Sequence, residues 1–243
     1  MYEPRKYRNI LSKTRLVPFS VTVKETDLLI RAHKHLEDES RELVLEYRGY
    51  IESYIRSYPE FATTLVPWQI NSPAPMIIRD MIQAGQKAGV GPMAAVAGAI
   101  AEYVGKGLLA FSNEVIVENG GDIFIKSAEP LCIGIFAGKS PLSLNIGLKL
   151  DPGNTPISIC TSSGTIGHSL SLGKADAACV ISESCALADA AATAIGNCVK
   201  SKADIRTAIE FGKKIEGVKG LLVIVGDKIG AWGEIEIVPL RSG

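Results

Sequence analysis

Neither sign of charge is in excess: 26 Lys and Arg balance 26 Asp and Glu over 243 residues. No global field therefore draws the chain to nucleic acid or to an anionic membrane. Aromatic residues make up only 6% of the chain, histidine occurs three times, and the five cysteines (Cys132, Cys160, Cys179, Cys185, Cys198) include no C-x-x-C pair. Their odd number and wide spacing speak against a disulfide framework or a thiolate zinc cluster; they are expected to be buried thiols of a reducing compartment, the cytoplasm. The uncharged stretch Ala88 to Ala101 is shorter than the ~20 residues of a membrane span, so no membrane partner is expected. The N-terminal run MYEPRKYRNILSK leads to no apolar segment, and a secretory signal is not expected. Small molecules and proteins remain as partner classes.

What is present is core-forming material, with 47% hydrophobic and 21% charged residues, enough for one domain spanning 1–243. Phe19 to Val23 and Leu28 to Ile30, around Lys24-Glu25-Thr26-Asp27, predict an N-terminal hairpin. Lys34 to Tyr58 repeats apolar and aromatic positions at helical spacing and ends at Pro59. Its Tyr47, Tyr50, Tyr54 and Tyr58 are expected to pack a core or a partner helix, with a homodimer as one outcome. Further helices are expected over Met76–Lys87, Met93–Phe111, Ser184–Val199 and Lys202–Ile215. Short β runs lie between them: 114–118, 123–126, 132–136, 142–150, 156–160 and 177–181. A last strand pair, 221–225 and 229–238, flanks Gly226-Asp227-Lys228. This order predicts an α+β fold, an antiparallel sheet meander with packed helices.

Four segments could carry chemistry. In Asn119-Gly120-Gly121-Asp122, two glycines let backbone N–H groups face a phosphate without obstruction; a plain hairpin turn capped by Asp122 is the alternative. Between Pro152 and Gly173 there is no charged residue, and Cys160-Thr161-Ser162-Ser163-Gly164-Thr165 offers N–H and O–H donors to an anion, or is simply a solvated loop. His168 follows; with Ser163 it resembles a nucleophile and base, but no G-x-S-x-G elbow accompanies them. In Ala188-Asp189-Ala190-Ala191-Ala192-Thr193-Ala194, helical spacing puts the Asp189 carboxylate and the Thr193 hydroxyl on one face, as two hard oxygen ligands for Mg²⁺ or as ordinary capping and back-bonding groups. Gly98-Ala99-Ile100-Ala101-Glu102-Tyr103 is a small-faced helix suited to close packing, with Glu102 expected to face solvent. Cys160 as a nucleophile would need neighbouring cations, which the local sequence lacks.

In order, these segments resemble those of the flavin transferase (ApbE-like) superfamily, whose members move FMN from FAD to a protein Thr or Ser with Mg²⁺. Gly98-Ala99-Ile100-Ala101 resembles the Gly-x-Ile-Ala segment, Asn119 to Ile123 the Asn-x-Gly-Gly-Asp-Ile turn, Thr161-Ser162-Ser163-Gly164 the Thr-Ser-Gly loop, and Ala188 to Ala194 the Ala-Asp-x-x-x-Thr-Ala segment. The resemblance spans about Gly91 to Asn197 and is closest to a branch found in archaea and sulfate-reducing bacteria. It implies an ApbE-like fold. It implies Mg²⁺ at Asp189 and Thr193, and a flavin or nucleotide diphosphate, or another small anion, at Asn119, Gly120, Gly121, Ser162, Ser163, Gly164 and Thr165. Asp122 or His168 would then move a proton. Two departures stand against transferase chemistry: Glu102 replaces the superfamily's Lys, and its His-x-x-Asp-Pro-x-Thr-Gly pattern is absent after His168. The alternative is a non-catalytic binding or accessory protein, which the branch's association with sulfide use in homocysteine formation would place in sulfur assimilation beside a sulfur-pathway partner.

Overall fold

The computed structural model describes residues 14–69, 72–153, 155–164 and 172–240. Strands β1 (Val17–Val23) and β2 (Thr26–Ala32) form the N-terminal hairpin, turning at Lys24 with a φ of 52°. β2 then pairs with β3 (Val115–Asn119), which turns into β4 (Asp122–Lys126). After an excursion, β7 (Ile157–Ser162), β8 (Ala177–Ser182), β9 (Val218–Val225) and β10 (Lys228–Gly233) complete an eight-stranded sheet of order β1-β2-β3-β4-β7-β8-β9-β10. Every pairing in it is antiparallel, as the meander expectation requires.

The excursion departs from a simple meander. Strands β5 (Leu131–Gly134) and β6 (Ile146–Leu150) leave the main sheet and pair with β11 (Glu236–Pro239) in a second sheet of order β11-β6-β5. The C-terminal run expected as one strand over 229–238 is thereby split. Gly233 takes a φ of 88°, and a Cβ there would overlap the Lys219 carbonyl oxygen, so the chain turns and changes sheets.

Alternation along the central strands separates two cores. Val115, Val117, Phe124, Cys160, Val180, Leu221 and Val223 face the helices, whereas Ile116, Ile125, Ile159, Ile181, Leu222 and Ile224 face Leu131, Ile133, Leu148 and Leu150 of the small sheet. Because both faces are covered, β3 and β8 are buried at every position.

The helical layer comprises α1 (Glu37–Ser57), α2 (Met76–Ala88), α3 (Val96–Leu108), α4 (Cys185–Cys198) and α5 (Ile205–Gly212). The helix expected from Met93 begins at Val96, because Pro92–Ala95 is a 3₁₀ turn, and it ends at Leu108 rather than Phe111. Small residues set how closely these helices approach: a Cβ on Gly105 would run into the Phe124 ring, so α3 lies flat on β4. Tyr54 is buried and stacks near Phe61 and Trp68, as expected for a core-facing helix, but Tyr50 stays largely exposed. The cysteines divide: Cys160, Cys179 and Cys185 are buried, Cys132 is half-buried and Cys198 is exposed, so the expectation of five buried thiols fails at the last two. Among the described residues, no single helix is long and apolar enough to cross a membrane.

Candidate functional site

The Asn119-Gly120-Gly121-Asp122 segment is a two-residue hairpin turn in which Gly120 and Gly121 take φ values of 68° and 111°. Such a turn needs residues tolerant of positive φ, and nothing lies within 4 Å of where a Cβ on Gly120 would sit, so its backbone is open to approach. Alternation points Asp122 to the helical side of β4, with Phe124, beside Cys160 and Thr161 of the neighbouring β7, whose thiol and N–H favour its ionised form. Asn119 faces the same way and donates from Nδ2 to the Ala97 carbonyl at 3.0 Å, tying the turn to the start of α3.

Helix α4 supplies the other side. Ser184 caps its start by accepting from Leu187 N–H. Asp189, one turn in, reaches across to the first turn of α3, where its Oδ2 accepts from Gly98 N–H at 2.9 Å and Ala97 N–H adds a second bond. A Cβ on Gly98 would overlap the Cys185 carbonyl oxygen and lie 2.8 Å from Asp189 Cβ, so only glycine permits this approach. Thr193 follows Asp189 by one turn and is half-buried.

The glycine turn, the end of β7 and the ridge of α4 therefore meet. A Cβ on Gly121 would lie 3.7 Å from the Thr161 carbonyl oxygen, and one on Gly196 of α4 would lie 3.7 Å from the Ser162 hydroxyl. Gly164 donates its N–H to Ala175 O at 2.9 Å. Thr161, Ser162 and Ser163 are half-buried and Gly164 is exposed. Thr165 and His168 lie outside the described residues, so neither the last donor of the loop nor the Ser163–His168 pairing is placed.

Electrostatically the site is an uncompensated acidic pair. Burial, with Glu118's charge adding to it, raises the Asp122 carboxyl to about 7 against the thiol and amide bonds that lower it. Asp189 is pushed well above the ordinary carboxylate range by desolvation first and by the charge of Asp122 second. It nonetheless keeps partial solvent exposure. No lysine or arginine among the described residues contributes to either shift. Cys160 is no nucleophile here: burial, Cys185 at 3.5 Å and the carboxylates of Asp122 and Asp189 all raise its thiol pKa.

Glu102 overturns an expectation. It does not face solvent but is buried, with its Oε2 accepting from Cys185 N–H at 2.7 Å, Ala186 N–H at 3.3 Å and the Ser184 hydroxyl at 3.3 Å, while Oε1 accepts from Lys106 at 2.6 Å. The carboxylate sits on the N-terminal amides of α4, where a helix favours negative charge. The spacing contained the signal: Glu102 follows Gly98 by four residues, so the face that meets α4 at Gly98 meets it again at Glu102. The link from Cys160 to Asp122, by contrast, left no mark in the sequence.

The architecture is similar to the apo form of a flavinyl transferase ApbE from Pseudomonas stutzeri, with a TM-score of 0.58, 11% identity, and coverage of 89% of this chain and 94% of that one. It is also similar to a variant of the flavin transferase ApbE from Vibrio cholerae, with a TM-score of 0.57, 13% identity, and coverage of 90% and 97%. At these identities the likeness defines the fold, which is ApbE-like. The chain belongs to the family described as AbpE bacteria, whose model matches residues 8–236. Its relatives include UPF0280 proteins of Methanocella arvoryzae, 41% identical over 214 residues (88% of this chain, 87% of the relative), and Methanosarcina barkeri, 42% identical over 217 residues (88% and 85%).

Proposed function

We propose that the cleft between the Gly120-Gly121 turn, the end of β7 and α4 binds the diphosphate of a flavin nucleotide together with Mg²⁺, and supports transferase-like chemistry on it. The observation that carries this reading is the meeting of Asp122 and Asp189 with no lysine or arginine among the described residues acting on either. Two carboxylates held in one desolvated space either retain protons or take a cation. The N-termini of α3 and α4 are already occupied by Asp189 and Glu102, so an anionic ligand would depend on the glycine turn, the hydroxyl loop and a metal for its counter-charge.

The donor set fits Mg²⁺. Asp189 and Thr193 offer hard oxygens one turn apart, and among the described residues no group of three or more His, Cys, Asp or Glu gathers to enclose an ion. An ion held there would keep waters and share ligand phosphates, the habit of Mg²⁺, and when bound it would offset charge developing on a cleaved diphosphate. Asn119, by holding the turn to α3, fixes the direction of the Gly120 and Gly121 amides. Ser162 and Ser163 present hydroxyls to the phosphates. Asp122, poised near neutrality, accepts the proton of an attacking hydroxyl as its oxygen bonds to phosphorus and the bond to AMP breaks. His168 is the other candidate for proton transfer. A second reading, a non-catalytic binding protein of the same fold, is favoured by Glu102, whose carboxylate is committed to α4 where the superfamily places a cation.

Titration with FAD, with and without Mg²⁺, tests the proposal. Wild type should bind at micromolar concentration only with Mg²⁺, and Asp189→Ala should weaken binding about 10–100-fold. No saturable binding at about 1 mM FAD rejects the site. Retained FAD binding without AMP release in the presence of an acceptor hydroxyl selects the non-catalytic reading.

A further inference from the structure

We propose that a groove between α1, α2 and α3 binds a methylated or quaternary ammonium group of a small molecule. Its volume is about 450 Å³, and Tyr47 and Tyr50 of α1, Pro75, Met76 and Ile77 at the start of α2, and Tyr103 of α3 line it. The rings pack on one another along the groove: Tyr47 and Tyr103 meet edge to face, with centroids 5.0 Å apart and planes inclined at 64°, and Tyr47 and Tyr50 are tilted at 6.2 Å and 58°. Met76 and Tyr50 are 60% and 41% exposed, so the groove opens to solvent.

Charge selects the ligand. Tyr103 Oη donates to Asp80 Oδ2 at 2.7 Å, and Tyr50 Oη donates to Glu46 Oε1 at 2.8 Å. Each bond fixes a ring and enriches its π-face, and neither carboxylate is ion-paired with a lysine or arginine among the described residues. Burial first, and Asp80 after it, keep the Tyr103 phenol protonated, and Glu46 does the same for Tyr50, so the rings are neutral across the physiological range. Lys106 already lies 5.9 Å from the Tyr103 centroid, with its charge offset by Glu102. Electron-rich aromatic side chains, a polarisable thioether and two carboxylates bonded to the tyrosine hydroxyls favour a cation whose surface is methyl groups, because such a cation is weakly hydrated and contacts rings and sulfur well. A neutral apolar group would gain nothing from Glu46 and Asp80, and an anion would be repelled by them.

The inference is independent of the diphosphate cleft, and its test uses a charge-matched pair. Choline and its neutral isostere 3,3-dimethylbutanol are titrated against the protein, with binding followed by tyrosine fluorescence and by ligand NMR. Choline should saturate at about 1 mM or below and bind about tenfold more tightly than the isostere. Tyr50→Ala and Asp80→Asn should each reduce choline affinity several-fold with unchanged circular dichroism and unchanged FAD binding. Equal affinity for the two compounds, no saturation by choline at about 100 mM, or affinity indifferent to both substitutions overturns the proposal. A solution dimer that Tyr50→Ala dissociates, with no response to choline, overturns it as well and assigns the groove to a second copy.

Discussion

Glu102 and Asp189 each cap the helix that carries the other: Glu102 of α3 accepts the first amides of α4, and Asp189 of α4 accepts those of α3. The exchange locks two small-faced helices at the distance that Gly98 permits and sets Asp189 beside the glycine turn.

Replacing Glu102 should disclose this structural duty. Glu102→Gln keeps an acceptor and should cost about 1 kcal/mol. Glu102→Lys places a cation on the α4 N-terminus, leaves its amides unpaired and should cost about 2–4 kcal/mol. Urea unfolding at fixed pH measures both, and equal losses would refute the capping role.

Gly98→Ala should destabilise by about 2–3 kcal/mol, because the added methyl meets the Cys185 carbonyl and Asp189 Cβ across a contact that cannot widen locally. Gly49→Ala in α1, with nothing within 4 Å of the new methyl, should stabilise by about 0.5–1 kcal/mol. The opposite signs, read from one pair of denaturation curves, separate packing from helix propensity.

Asp122 binds its proton more tightly in the folded chain, about 7 against an ordinary 3.8. Between these values the folded state holds more protons at Asp122 than the unfolded state, so the stability that Asp122 contributes is full below about pH 4 and is lost as pH rises through 7. Asp189, raised in the same direction, adds to the slope. Asp122→Asn should flatten the decline and make the variant more stable than wild type above pH 7, by on the order of a few kcal/mol. A wild-type stability that rises between pH 5 and 8 would contradict this.

Thiol labelling follows burial. Cys198 should react fast with an aromatic disulfide reagent and Cys132 more slowly, while Cys160, Cys179 and Cys185 wait for unfolding. Rapid modification of Cys160 would mean that the sheet–helix contact opens.

Local chemistry in the sequence announced much of the fold. Helical spacing marked α1, Ser184 marked the start of α4, and the Gly120-Gly121 pair marked the hairpin. What failed depended on distant partners. Met93 to Ala95 reads as helix until the 3₁₀ turn Pro92–Ala95 is seen, and 229–238 reads as one strand because only the Lys219 carbonyl forces the break at Gly233. The site was named segment by segment, through resemblance. Its convergence, with Asp122 and Cys160 from adjacent strands and Asp189 from a helix some sixty residues beyond the turn, is a property of packing that spacing does not encode.

The central claim is that Asp189, Thr193 and the Gly120-Gly121 turn serve one ligand. A crystal soaked with FAD and Mg²⁺ tests it most directly. The account predicts an ion on the Asp189 and Thr193 oxygens, with the FAD diphosphate between it and the glycine turn. FAD bound elsewhere, or a bound diphosphate with no ion at Asp189, would contradict it.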